Sequence, residues 1–85
     1  MPYISQKDRQ LLGADDFKLA IPLIKGAGQL NYILTKIIHQ YLESNGNNYQ
    51  AMNDIIGALD GCKLEFYRRI VAPYEDIKIQ ENGDV

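Results

Sequence analysis

The segment Leu30-Asn-Tyr-Ile-Leu-Thr-Lys-Ile-Ile-His-Gln-Tyr-Leu42 decides the fold of this chain. Its apolar residues recur at intervals of three and four positions: Leu30, Ile33, Leu34, Ile37, Ile38, Tyr41 and Leu42. This spacing places them on one side of an α-helix, as a wide apolar stripe that needs a covering surface. The segment therefore predicts a long amphipathic helix over residues 29–44.

A second long helix is predicted directly after a polar turn. In Ser44-Asn-Gly-Asn-Asn48, Gly46 is free to adopt the left-handed conformation at a helix end, and Asn47 or Asn48 can cap the next helix. Residues 48–72 then carry an apolar face made of Met52, Ile55, Ile56, Leu59, Cys62, Phe66 and Ile70, widened by Tyr67 and Val71. Two long helices joined by a short turn predict an antiparallel hairpin, with Ile37 and Ile56 in its core.

The two ends of the chain are predicted to be less regular. Residues 1–26 predict a broken N-terminal helix packed across the hairpin: Ser5 and Asp8 imitate a capping box, Asp15 or Asp16 offers a second start, and Pro22 kinks or ends the helix. Pro73 is expected to end the third helix. The tail, residues 73–85, is then predicted to be short and extended: a short strand, an arm laid on another subunit, or a frayed end. The fold class expected is all-α, in a single domain of residues 1–85.

Composition limits the classes of function. The chain has 85 residues, a net charge of −2 and one cysteine, Cys62, so no intramolecular disulfide can stabilise a small core. The negative charge argues against non-specific nucleic-acid binding. No zinc spacing or cofactor motif is present, no signal peptide is visible, and no apolar run reaches the roughly 20 residues of a membrane span. A cytoplasmic protein is expected, without a metal or cofactor.

A strip of small residues lies in the middle of the third predicted helix. It consists of Gly57, Ala58, Gly61 and Cys62. Each glycine costs about 1 kcal/mol relative to alanine inside a helix, and small side chains allow another backbone to approach closely. The strip is explained either by packing against the helix of residues 29–44 or by a subunit interface. Because oligomerisation is the remaining support for so small a core, we expect a homo-oligomer.

The strongest candidate binding residues follow this strip. Arg68 and Arg69 lie near the end of a helix, where cations are favoured, and Tyr67 and Tyr74 flank them. Two guanidinium groups beside two phenol rings suit an anionic, aromatic ligand. The alternative is a structural salt bridge, with Glu65 or Glu75 as the carboxylate. Since adjacent helical residues point about 100° apart, the two arginines are expected to have different roles.

Weaker candidates lie near the start of the second helix. Lys25 belongs to Lys25-Gly-Ala-Gly28, which precedes a helix N-terminus but lacks the full spacing of a phosphate-binding loop. Tyr32, Lys36 and His39 lie one turn apart and could face a ligand, although a solvated helix face explains them as well. His39 has no evident serine or cysteine nucleophile beside it, so an enzyme is not expected.

The whole chain also resembles a known family. The matching segments are Met1-Pro-Tyr-Ile4, Leu30-Asn-Tyr-Ile33, Asn53-Asp-Ile-Ile-Gly57, Glu65-Phe-Tyr-Arg-Arg-Ile-Val-Ala-Pro-Tyr-Glu75 and Glu81-Asn-Gly-Asp-Val85. They are similar to a group of short uncharacterised proteins of tailed bacteriophages and some bacteria. The chain departs from that pattern around Gly13-Ala14 and at Gly61. The resemblance implies a phage-encoded accessory protein and assigns no activity to any residue.

Two functions are therefore expected, neither of them enzymatic. The first is a homo-oligomer that sequesters an anionic nucleotide, such as a cyclic nucleotide of immune signalling, between its subunits and so counters host defence. It is suggested by Arg68, Arg69, Tyr67 and Tyr74, and by analogy with other small helical phage proteins that sequester such signals. The alternative is a protein–protein interaction module that binds a host or phage protein.

Overall fold

The computed structural model describes residues 3–12 and 21–85. Within these ranges 84% of the residues are helical and no strand occurs, which confirms the all-α class. The elements are α1 (Gln6–Leu12), a 3₁₀ turn (Ile21–Leu23), α2 (Ala27–Asn45), α3 (Tyr49–Phe66), a π-helical turn (Tyr67–Val71) and α4 (Ala72–Asn82).

The chain divides into two units, one of residues 3–55 and the other of residues 56–85. The described part of the first unit contains α1, the 3₁₀ turn, α2 and the first two turns of α3. The second unit contains the rest of α3, the π turn and α4, which follow one another without a break. The antiparallel pairing of α2 with α3 stays a prediction.

Local capping signals in the sequence correctly locate the start of α1. The Asp8 N–H donates to Ser5 Oγ at 3.1 Å, and the Arg9 N–H donates to the Ser5 carbonyl at 3.0 Å. Ser5 is therefore the N-cap that the sequence predicted. The second start predicted at Asp15 or Asp16 lies outside the described residues.

The break before α2 is also confirmed. Pro22 lies in the 3₁₀ turn, where the Ile24 N–H donates to the Ile21 carbonyl at 3.0 Å, and the following residues are not helical until Ala27. A proline fits this position because it has no N–H to satisfy within a continuing helix. α2 then begins two residues earlier than expected.

The connection between α2 and α3 depends on one glycine and one asparagine. Gly46 ends α2 with φ 94° and ψ 143°, a backbone conformation that is nearly restricted to glycine. Asn48 then caps α3, because its Oδ1 accepts the Ala51 N–H at 2.8 Å. The sequence thus identified the glycine correctly, and the structure selects Asn48 from the two asparagines proposed.

The extended tail predicted after Pro73 is wrong. The helix continues through the π turn into α4, and it ends only at Asn82, followed by Gly83 at φ 87°. The wider turn explains how Pro73 is accommodated: the Ala72 N–H bonds to the Tyr67 carbonyl five residues back, and Pro73 falls within the first turn of α4. A proline in a first turn sacrifices no α-helical hydrogen bond, so it does not stop the chain here.

Burial differs most from what the helical periodicity suggested. Among the described residues only Ala51 is buried, at 4% exposure. The predicted core residues Ile37 and Ile56 are 44% and 60% exposed, so their assignment to an intrachain core is wrong. Periodicity identifies the apolar side of each helix but not the surface that covers it. Among the described residues these stripes are exposed or half-buried.

Candidate functional site

The two candidate arginines share a single carboxylate. Arg68 Nη2 lies 2.9 Å from Glu65 Oε1, and Arg69 Nε donates to the same oxygen. At this carboxylate the two arginines act alike, and the expectation that they have different roles stays a prediction. Positions three and four residues after Glu65 are both its neighbours on a helix, and the long arginine side chains bring both guanidinium groups to it.

This Glu65–Arg68–Arg69 cluster is exposed on its cationic side. The arginine side chains are 66% and 60% exposed, whereas that of Glu65 is 18% exposed. Ion pairs of this type contribute only about 0.3–0.5 kcal/mol each to helix stability. Two cations and one carboxylate leave a net charge of +1 on the cluster. The arrangement supports the structural salt bridge and still allows an anion to approach from solvent.

Tyr67 is held by a different acid. Its hydroxyl donates to Glu75, eight residues along the chain, so this bond ties the π turn to α4. The hydrogen bond, the negative charge of Glu75 and a small desolvation raise the pKa of the Tyr67 phenol above its ordinary value. The phenol therefore remains protonated at neutral pH. Its ring is half exposed, but its hydroxyl is already engaged by a carboxylate.

Tyr74 lies beside a cation that sequence reasoning missed. Lys78 Nζ lies 5.5 Å from the centre of the Tyr74 ring and 3.3 Å from Glu81 Oε2. This cation–π contact follows from the i, i+4 spacing of Tyr74 and Lys78 on α4. The spacing was readable in the sequence, but it carries meaning only on a helix, and these residues were expected to be extended.

The weaker candidates lie in the first unit. Lys36 Nζ lies 5.5 Å from the centre of the Tyr32 ring, as their i, i+4 spacing on α2 allows. The backbone N–H of Lys25 donates a hydrogen bond to Gln29 Oε1 at 2.6 Å. An open, largely apolar cavity of about 330 Å³ lies next to Tyr32. Its lining residues are Leu23, Ile24, Gly28, Gln29, Tyr32 and Ile33.

The predicted ligand residues thus fall into separate clusters. Lys25, Tyr32 and Lys36 belong to the first unit. The second unit holds Tyr67, Arg68, Arg69 and Tyr74. That one ligand contacts residues of both units stays a prediction.

The strip of small residues lies on α3 as expected. A β-carbon added to Gly57 would meet no atom within 4 Å, so this side of the helix is open. Ala58 and the thiol-bearing Cys62 are also exposed, and Gly61 is half-buried. Open space beside small residues leaves room for a second backbone. The interface role of the strip stays a prediction.

The described side chains and helices bear on metal binding and on membrane insertion. No group of three or more histidine, cysteine, aspartate or glutamate side chains in residues 3–12 and 21–85 could hold a metal ion. Over the same ranges, no helix combines the length and the apolar character needed to cross a bilayer. The expectations that no metal and no cofactor are bound stay predictions.

Comparison with known proteins places the whole chain in one family. A search of curated proteins found no match, and neither did a search of solved structures. One family model, described as a domain of unknown function (DUF6899), matches residues 1–85. Since the match spans the full sequence, this chain is a member of the DUF6899 family.

Proposed function

We propose that this protein is a non-enzymatic interaction module that works as a homo-oligomer. One observation carries the proposal: among the described residues a single alanine is buried, while large apolar side chains remain exposed along α2, α3 and α4. Full burial of one such side chain contributes about 1.5–3 kcal/mol. A chain of 85 residues with one cysteine has no disulfide to replace that contribution.

The exposed residues are arranged for helix packing. On α2, Leu30, Leu34, Ile37 and Tyr41 are exposed at intervals of four, three and four residues. This is the spacing of a seam between helices. The hairpin of α2 and α3, crossed by the broken N-terminal helix, belongs to the proposal as the subunit arrangement that the periodicity favours.

The biological setting is also part of the proposal. The resemblance of the whole chain to phage proteins supports a phage-encoded accessory protein, which we place in the host cytoplasm. In this setting the assembled helices bind a host or phage protein. The open side of Gly57, next to Ala58, is a surface that another helix can approach closely.

Measurement of mass tests the assembly directly. Light scattering and sedimentation equilibrium are expected to give species larger than the 9.7 kDa chain at micromolar concentration. Phe66→Glu should dissociate them, because it places a carboxylate on the exposed apolar side of α3. Gln80→Glu adds the same charge to α4 away from that side and should leave the mass unchanged. A 9.7 kDa wild-type species across the concentration range would reject the proposal.

Nucleotide sequestration is the second candidate, supported by the Glu65–Arg68–Arg69 cluster. Its exposed guanidinium groups carry a net positive charge beside Tyr67, and guanidinium groups bind phosphate through paired hydrogen bonds. In this function the oligomer withholds a cyclic nucleotide from host immune signalling. Glu65 would compete with the phosphate for both arginines.

That competition makes the second candidate testable. Calorimetric titration with a panel of cyclic dinucleotides should show binding to wild type and loss of binding in Arg69→Ala. Glu65→Gln should bind more tightly, because it removes the carboxylate charge that competes with the phosphate. Lys78→Ala is the matched control for loss of a cation elsewhere in the same unit. Absence of heat with both wild type and Glu65→Gln would remove nucleotide binding from consideration.

A further inference from the structure

The second unit carries one continuous apolar line across the π turn. Phe66, Ile70 and Tyr74 are all exposed and follow one another at intervals of four residues. In a regular α-helix, each such interval rotates the side chain by about 40°, so the line would drift around the helix. The wider π turn at Tyr67–Val71 offsets this drift. The line therefore stays on one side of the helix.

The charges along the same helix are distributed unevenly. Residues 63–69 hold three cations, Lys63, Arg68 and Arg69, against one carboxylate, a net charge of +2. Residues 75–81 hold three carboxylates, Glu75, Asp76 and Glu81, against Lys78, a net charge of −2. The N-terminal part of the apolar line thus lies in a cationic segment, and an anionic segment follows its last residue, Tyr74.

We propose that the partner on this apolar line is a second copy of the chain, packed antiparallel along the helix of residues 56–82. Antiparallel packing sets each +2 segment against a −2 segment of the other copy. Parallel packing would set like charges together at both ends. The occupant is thereby identified by charge complementarity as well as by the apolar line. This inference rests on the self-association proposed above.

The charge centres determine the level of the symmetry axis. The cationic segment is centred on residue 66 and the anionic segment on residue 78, so a two-fold axis level with Ala72 aligns them. Ile70 of each copy then lies level with Tyr74 of the other, and Lys63 lies level with Glu81. Because such an interface is self-complementary, the Lys63–Glu81 pair forms twice.

The single cysteine provides a direct test of direction. With the axis at Ala72, Cys62 lies level with Asn82 of the other copy and about 30 Å along the helix from the second Cys62, at 1.5 Å per residue. Mild oxidation of wild type should therefore give no disulfide-linked dimer. Asn82→Cys should give a dimer that reductant reverses, since disulfides need Cα atoms closer than about 7 Å. Asn82→Cys combined with Cys62→Ser is the control and should remain uncross-linked.

Charge exchange gives an independent readout. Lys63→Glu should weaken dimerisation about tenfold, because two attractive pairs become repulsive. Adding Glu81→Lys should restore the wild-type dissociation constant. A Cys62–Cys62 disulfide in wild type, or a double variant as weak as the single one, would overturn the antiparallel arrangement. A wild type that is monomeric by mass would instead reject self-association itself.

Discussion

Replacement of Ile70 by alanine should separate the stability of the fold from the stability of the assembly. Ile70 is 60% exposed, so it contributes little to the subunit by itself. Alanine is also a better helix former than isoleucine. Helix content by circular dichroism and the thermal midpoint of a dilute sample should therefore change little.

The assembly should respond much more strongly. Full burial of an isoleucine contributes about 1.5–3 kcal/mol, and the 60% still exposed leaves about 0.9–1.8 kcal/mol for the interface. Because each copy contributes one Ile70 to a two-fold interface, the free energy lost on substitution doubles to about 1.8–3.6 kcal/mol. This corresponds to a dissociation constant weaker by about 20- to 500-fold. Alanine retains the β-carbon, so we expect the lower part of that range.

Sedimentation equilibrium on wild type and Ile70→Ala measures this difference, and Leu64→Ala is the matched control. Leu64 is 67% exposed, but it lies two residues before Phe66 and points about 160° away from the apolar line. Leu64→Ala should leave the dissociation constant within about threefold of wild type. Equal effects of the two substitutions, or none from Ile70→Ala, would refute the assignment of the interface to this side of the helix.

Three further predictions concern single contacts. Gly46→Ala should cost about 1–3 kcal/mol of unfolding free energy in denaturant titration, because φ is 94° and the new β-carbon would lie 3.0 Å from Asn48 Nδ2; an unchanged midpoint would contradict the conformation. Asn48→Ala should cost about 1 kcal/mol through loss of the cap on the Ala51 N–H, whereas Asn48→Asp should retain most of it. Tyr67 should titrate above its ordinary phenol pKa, so its bond to Glu75 stabilises the fold below pH 10 and is lost as pH rises through the raised pKa. In an ultraviolet titration, the phenolate absorbance that Tyr67→Phe lacks relative to wild type should appear in the most alkaline part of the curve. If the missing absorbance belongs to a lower pH, the contact with Glu75 is contradicted.

Some of the candidate site was readable from the chain. The i, i+3 and i, i+4 spacing of Glu65 with Arg68 and Arg69 predicted a salt bridge, and the structure shows it. The partner of Tyr67 was not predicted. That bond spans eight residues, and it requires a helix to continue past Pro73, which single-residue propensity argues against.

The sequence by itself determined the all-α class, the N-cap of α1 at Ser5 and the positive φ of Gly46. These features depend on neighbouring residues: a hydroxyl three positions from an N–H, or a missing β-carbon. Such interactions act within one turn, so their pattern is local and the chain order already contains it.

Only the structure decided how far the apolar side chains are exposed and where the last helix ends. Ile37 and Ile56 satisfy the same periodicity as a buried residue, yet both are exposed, because burial depends on what packs against a helix. The π turn before Pro73 likewise shifts the register of a whole helix through bonds five residues long. Neither the surface that covers a helix nor a hydrogen bond five residues long is described by helical periodicity or by single-residue propensity.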